Sequence, residues 1–136
     1  MRYLLDTNIC SYVIRARDRH LLTVMQDKAG SGADLSISAV TYAELRLGAE
    51  CSRHSERYNQ AIRAFCDRLS GILAWDKAAA DQFAGLQARL LRSGNPIGGN
   101  DAMIAAHALS LGRVLITNKE KHFSRAPGLQ VENWTR

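Results

Sequence analysis

Cysteine is scarce in this chain of 136 residues: only Cys10, Cys51 and Cys66 are present, and no CxxC pair occurs. An odd, scattered set excludes a disulfide scaffold and fits a reducing cytosol. The four histidines, His20, His54, His107 and His122, show no zinc-ligand spacing and read as surface or packed residues. No apolar run reaches the roughly 18 residues needed to cross a bilayer, and MRYLLDTN lacks the apolar stretch of a signal peptide. There is no internal repeat, no low-complexity stretch and no linker. A dinucleotide fingerprint is missing too: Gly98-Gly99 is not GxGxxG and follows no strand, so it reads as a flexible entry into the next helix. Acids are in deficit, 13 Asp+Glu against 18 Lys+Arg, for a net charge of +5. That surplus favours an anionic partner, nucleic acid or an acidic protein, and says little about fold.

What is present suits one globular domain over residues 1–136: 46% hydrophobic and 23% charged residues can build one real core. Residues 2–5, 34–38, 71–75 and 113–117 read as short apolar strands, with room for another after the turn in 126–134. Helices are expected over about 8–15, 21–29, 39–50 and 55–69, then from the Asp76 cap to Ser93-Gly94, and from about Asn100 to Gly112. The 39–50 helix carries Val40, Ala43 and Leu47 at helical spacing. The 55–69 helix carries Tyr58, Ile62, Phe65 and Leu69. The next two carry Ala79, Phe83, Leu86 and Leu90, then Ile104, Ala105, Ala108 and Leu111. Strands alternating with helices mean an α/β fold, with a short parallel sheet covered on both faces.

In open α/β sheets, functional groups gather at the carboxyl ends of strands. Asp6 follows the first strand, and Thr117 ends the strand RVLIT. Asp101 opens the helix before RVLIT, where the helix dipole favours an anion. Glu44 lies in the second turn of the helix after DLSIS, within TYAEL, which looks buried. Singly, Asp6 equally suits a helix cap, Asp101 a dipole partner and Glu44 a solvated position. Together they suit a divalent cation, because clustered carboxylates repel one another and a hard cation reverses that cost. Such an ion activates water for attack on phosphorus, and a basic surround attracts a nucleic-acid backbone.

LLDTNIC (4–10), ISAVTYAEL (37–45), PIGGNDAMIAAHAL (96–109) and VLITN (114–118), in this order, resemble the PIN-domain ribonucleases. The similarity is closest to the VapC-type toxins of bacterial toxin–antitoxin pairs and covers essentially the whole chain. It implies a Rossmann-like PIN domain, usually a homodimer, with Mg²⁺- or Mn²⁺-dependent endoribonuclease activity on tRNA or rRNA. It also implies a VapB-like antitoxin whose tail covers the active site and whose other domain binds operator DNA. Carried over by position, Asp6, Glu44 and Asp101 match the acidic triad. Asp6 and Asp101 would be direct metal ligands, and Glu44 would act through water or help activate the nucleophile. Asn8 and Thr117 match supporting positions, and Asn100 would pin the start of the Asp101 helix.

One departure stands out. Where relatives carry an acid or Asn two residues after the strand-end Thr, this chain has Lys119, and a later acidic position holds His122. Either the fourth site is dispensable, or Lys119 supplies a cation that opposes metal or touches RNA. Arg15 and Arg17 suit contact with RNA or an acidic partner, and equally a solvated surface. Two rivals remain. A nucleic-acid- or antitoxin-binding module with the fold but weakened chemistry would carry Lys119 as its mark. An aspartyl-nucleophile phosphatase would want an acid where Asn8 stands.

Overall fold

Alternation along short apolar runs sets the architecture. In the computed structural model, which describes residues 1–135, β1 (Arg2–Leu5) lies at the centre of a five-stranded, wholly parallel sheet. The order is β3-β2-β1-β4-β5, with β2 at Asp34–Ser38, β3 at Gly71–Leu73, β4 at Val114–Ile116 and β5 at Val131–Glu132. Leu4 pairs with Ser36 on one side and Leu115 on the other. Successive strand side chains point to opposite faces. Thus Tyr3, Leu5, Leu35, Ile37, Val114 and Ile116 enter one core, while Leu4 and Leu115 enter another. Each fully buried aliphatic side chain contributes roughly 1.5–3 kcal/mol.

Helices cover both faces, as a parallel sheet requires. On one lie α1 (Thr7–Ile14), α2 (Arg19–Gly30), α3 (Ala39–Glu50) and α4 (Ser55–Asp67), burying Ile9, Leu21, Leu45, Ile62 and Phe65. Trp134 closes this core edge-on to Tyr3, with ring centroids 4.8 Å apart. On the other face α5 (Lys77–Arg92) and α6 (Gly99–Leu111) bury Leu86, Leu90, Ile104, Ala105 and Ala108, joined by Phe123 of the short α7 (Glu120–Phe123). Two polar ties brace the sheet, one along its edge and one to α6. Arg113 reaches Asp34 at 2.7 Å and holds its carboxyl below the usual range. His107 Nδ1 shares a hydrogen bond of 2.8 Å with Ser38 Oγ, and burial lowers the pKa of this imidazole. Among the described residues no helix is long and apolar enough to cross a membrane.

Several boundaries differ from the sequence reading, each for a local reason. α1 starts at Thr7 because Asp6 is its N-cap. β3 stops at Leu73; Trp75 turns out of the sheet, donating its indole N–H to Met103 O at 3.0 Å and packing edge-on to Phe83. α3 buries Thr41, Leu45 and Ala49; of the expected stripe, Val40 packs half-buried against the other core, while Ala43 is exposed and Leu47 is 65% exposed. Its phase is set by entry straight from β2 through the Ser38 cap, whose Oγ accepts from Val40 N. α7 escaped notice because four residues carry no periodicity. Gly98 is not flexible slack: as N-cap of α6 it sits at φ 92, ψ 152, a conformation that belongs to glycine.

Candidate active site

β1 runs to β2 on one side and is flanked by β4 on the other, so the order of strands reverses between β1 and β4. Ligand sites form at the carboxyl ends of strands at such a reversal. Asp6 stands there, its N–H bonded to Ile116 O at 3.0 Å. It is 1% exposed. Oδ1 accepts the Ile9 N–H at 2.9 Å, the helix-capping bond. Oδ2 is buried and has no hydrogen-bond partner. Burial pushes this carboxyl up to about 6, against the Thr117 hydroxyl, the Ile9 N–H and the charge of Lys119, while Asp101 adds to the rise. A buried bare oxygen is costly unless something cationic meets it.

Glu44 arrives from α3, half-buried rather than enclosed. Thr7 Oγ1 donates to its Oε1 at 2.6 Å, and Asn100 Nδ2 donates to its Oε2 at 3.1 Å. Asn100 therefore ties the start of α6 to α3 instead of capping α6, whose N-cap is Gly98. Asp101 lies in the first turn of α6, and its Oδ2 accepts from Lys119 Nζ at 2.8 Å and His122 Nε2 at 2.9 Å. Thr117, fully buried, uses Oγ1 to accept the Lys119 N–H at 3.0 Å, shaping the turn that delivers Lys119.

Asp6, Glu44, Asp101 and Lys119 line one open pocket of ≈ 510 Å³, with Asn8 on its exposed rim. Arg15 lies in an adjoining cavity, with its guanidinium 5.7 Å from the Tyr58 ring centroid; Arg17 is exposed and lines neither. Sequence reasoning missed Thr7, although it stands inside DTN between two residues singled out. Its role depends on Glu44, 37 positions away, which no local pattern announces. The contact of His122 with Asp101 was equally hidden, because α7 was.

The residues fit a particular kind of cation. Among the described residues no three His, Cys, Asp or Glu side chains gather as a ready-made chelating group. A zinc or calcium cage is therefore a poor match. An Asp6 Oδ2 without a hydrogen bond, on a residue that lines an open polar pocket with Asp101, suits a hard ion that keeps several waters, as Mg²⁺ does. Lys119 and His122 already bond one oxygen of Asp101, so an ion entering there competes with them.

The sequence matches the PIN domain family over residues 3–129. It is 40% identical over 134 residues to Ribonuclease VapC2 of Haemophilus influenzae, covering 98% of each chain. It is 38% identical to the tRNA(fMet)-specific endonuclease VapC of Shigella flexneri, covering 99% of each. A solved structure of VapBC2 from Rickettsia felis, bound to a DNA fragment from their promoter, superposes with TM-score 0.92 at 32% identity, over 98% of this chain and 99% of that one. With strand order, acid placement and sequence in agreement, the chain belongs to the PIN domain family, among the VapC ribonucleases.

Proposed function

We propose that this chain is a metal-dependent endoribonuclease, the toxin of a VapBC-type pair, which hydrolyses structured RNA, with tRNA as its first candidate. The observation that carries the metal is Asp6 Oδ2, a buried carboxylate oxygen without a hydrogen bond, on a residue that lines one pocket with Glu44 and Asp101. The tRNA assignment draws on the Shigella relative's name. Asp6 and Asp101 would hold Mg²⁺, or Mn²⁺ in its place, and Glu44 would reach it through water. When bound, such an ion acidifies water and offsets phosphate charge. The chain's own residues supply the rest. Thr7 and Asn100 fix both oxygens of Glu44, which leaves it positioned to take a proton from the attacking water. As the new O–P bond forms, the opposite P–O ester bond breaks and the leaving oxygen is protonated. Lys119, displaced from Asp101, is placed to meet the phosphate. In this reading a VapB-like antitoxin restrains the toxin, a homodimer is the working unit, operator DNA is reached only through the antitoxin, and the setting is cytoplasmic.

One observation favours a second reading. Lys119 and His122 both bond Asp101 Oδ2, at positions where the family resemblance implies an acid or Asn, as expected of a binding module with weakened chemistry. Nothing supports the phosphatase alternative, since position 8 is Asn8 and the family is a nuclease family. Incubating partner-free protein with total tRNA in Mg²⁺ or EDTA separates the readings. Discrete fragments that need metal and vanish in Asp101→Asn are expected. Intact tRNA, followed by intact rRNA, would hand the case to the binding module.

A further inference from the structure

A second cavity, of ≈ 260 Å³, opens beside the acid pocket and shares Thr7, Asn8 and Glu44 with it as a common wall. Three helices build it by helical spacing. α1 contributes Asn8, Ser11 and Arg15 at steps of three and four. α3 contributes Glu44, Gly48 and Ser52 along one line at steps of four, the last just beyond its end. α4 contributes Tyr58 and Ile62, one turn apart. The result is a trough that starts at the acids and ends at a cation lying over an aromatic ring, Arg15 above Tyr58 at 5.7 Å. Its floor is apolar and its rim carries hydroxyl and amide groups.

Gly48 is the informative position. Glycine inside a helix costs stability relative to alanine. A Cβ built on Gly48 meets no atom within 4 Å, so packing does not demand glycine there. The space it leaves open belongs to the trough. A side chain at 48 would extend into the cavity one helical turn from Glu44.

We propose that this trough receives one base of single-stranded RNA, from the nucleotide adjoining the phosphodiester held at the acids; the proposal rests on the ribonuclease reading above. A base is flat, with a π-face for Tyr58 and Arg15 and polar edges for Ser11, Ser52 and Asn8. Proteins read unpaired RNA with this combination of stacking and edge contacts. The adjacency of the two cavities, which share Thr7, Asn8 and Glu44, supplies the geometry, because a base is tethered to its phosphate and must lie within one nucleotide of it. Since the base has to leave its neighbours to enter, the trough selects loops over duplexes.

The test is calorimetric binding, in Mn²⁺, of a phosphorothioate-linked 2′-O-methyl tetranucleotide and of its abasic counterpart, alongside metal-dependent RNA cleavage. Wild type should bind the base-bearing probe about tenfold more tightly, the size expected for one stacked base. Gly48→Leu and Tyr58→Leu, each with a native circular dichroism spectrum, should lose that preference while binding the abasic probe as wild type does. A preference that survives both substitutions overturns the proposal, as does equal loss of both probes; the trough is then left to another occupant, such as a protein partner's side chain. Wild type that cuts RNA but prefers neither probe removes the subsite and leaves the nuclease standing. Wild type that neither cuts RNA nor binds either probe removes both.

Discussion

Burying Asp6 raises its carboxyl to about 6, above the value it has in an unfolded chain, and the sign of that displacement governs stability. The native state holds the proton more tightly, so folding is favoured while Asp6 is protonated. Stability falls as pH rises through roughly 4 to 6. Asp6→Asn keeps an oxygen for the Ile9 N–H and removes the charge. Urea denaturation of metal-free protein should therefore find Asp6→Asn more stable than wild type by up to roughly 3 kcal/mol at pH 8, with the advantage gone at pH 4. A wild type that is the more stable of the two at pH 8 would contradict this account of the site. Saturating metal should reverse the order, since only wild type gains binding energy from the ion. Asp6 could be named from sequence because a carboxylate directly after a strand is a local pattern. That its two oxygens split between capping and solitude was not legible, because it depends on Ile9 and on the neighbouring β4 edge.

At the scale of elements, the start of α6 sets where Asp101 and Asn100 point. Gly98 holds that start at φ 92, and Gly98→Ala should cost about 1–3 kcal/mol and reduce cleavage. The neighbouring Gly99 has open space around it and is the first residue of α6. Gly99→Ala should be neutral, or stabilising by up to about 1 kcal/mol, in the same thermal melts. Equal losses from the two substitutions would show that backbone conformation is not what Gly98 provides. Asn100→Ala removes one of the two donors fixing Glu44 and leaves the Gly98 N-cap of α6 unchanged. Metal affinity measured by calorimetry should fall by about 10–100-fold with the melting temperature little changed. Strands β1, β2 and β4 and helices α4 to α6 were legible because apolar runs and helical spacing coincide with burial there. The phase of α3 was not, because Ala43 and Leu47 look apolar in sequence while Thr41, packed between layers, looks polar.

Over the whole molecule, a net charge of +5 surrounds one pocket whose acids come from positions 6, 44 and 101. The order of elements was enough to bring these three to one edge of one sheet, since in a parallel sheet every strand delivers its chain to the same side. What composition and spacing did not convey is how the chain holds Asp101 before any ion arrives. Lys119 and His122 sit on Asp101 through a turn governed by Thr117. A nearby positive charge opposes a second one. Lys119→Asn should therefore tighten cation binding.

The acids at the carboxyl edge are held to be a cation site. The measurement that tests this most directly is titration of partner-free protein with Mn²⁺, following free Mn²⁺ by electron paramagnetic resonance. Wild type should take up Mn²⁺ saturably, Lys119→Asn more tightly, and Asp6→Asn and Asp101→Asn at least roughly tenfold more weakly. Uptake that is the same in wild type, Asp6→Asn and Asp101→Asn, or absent in all of them, would contradict it.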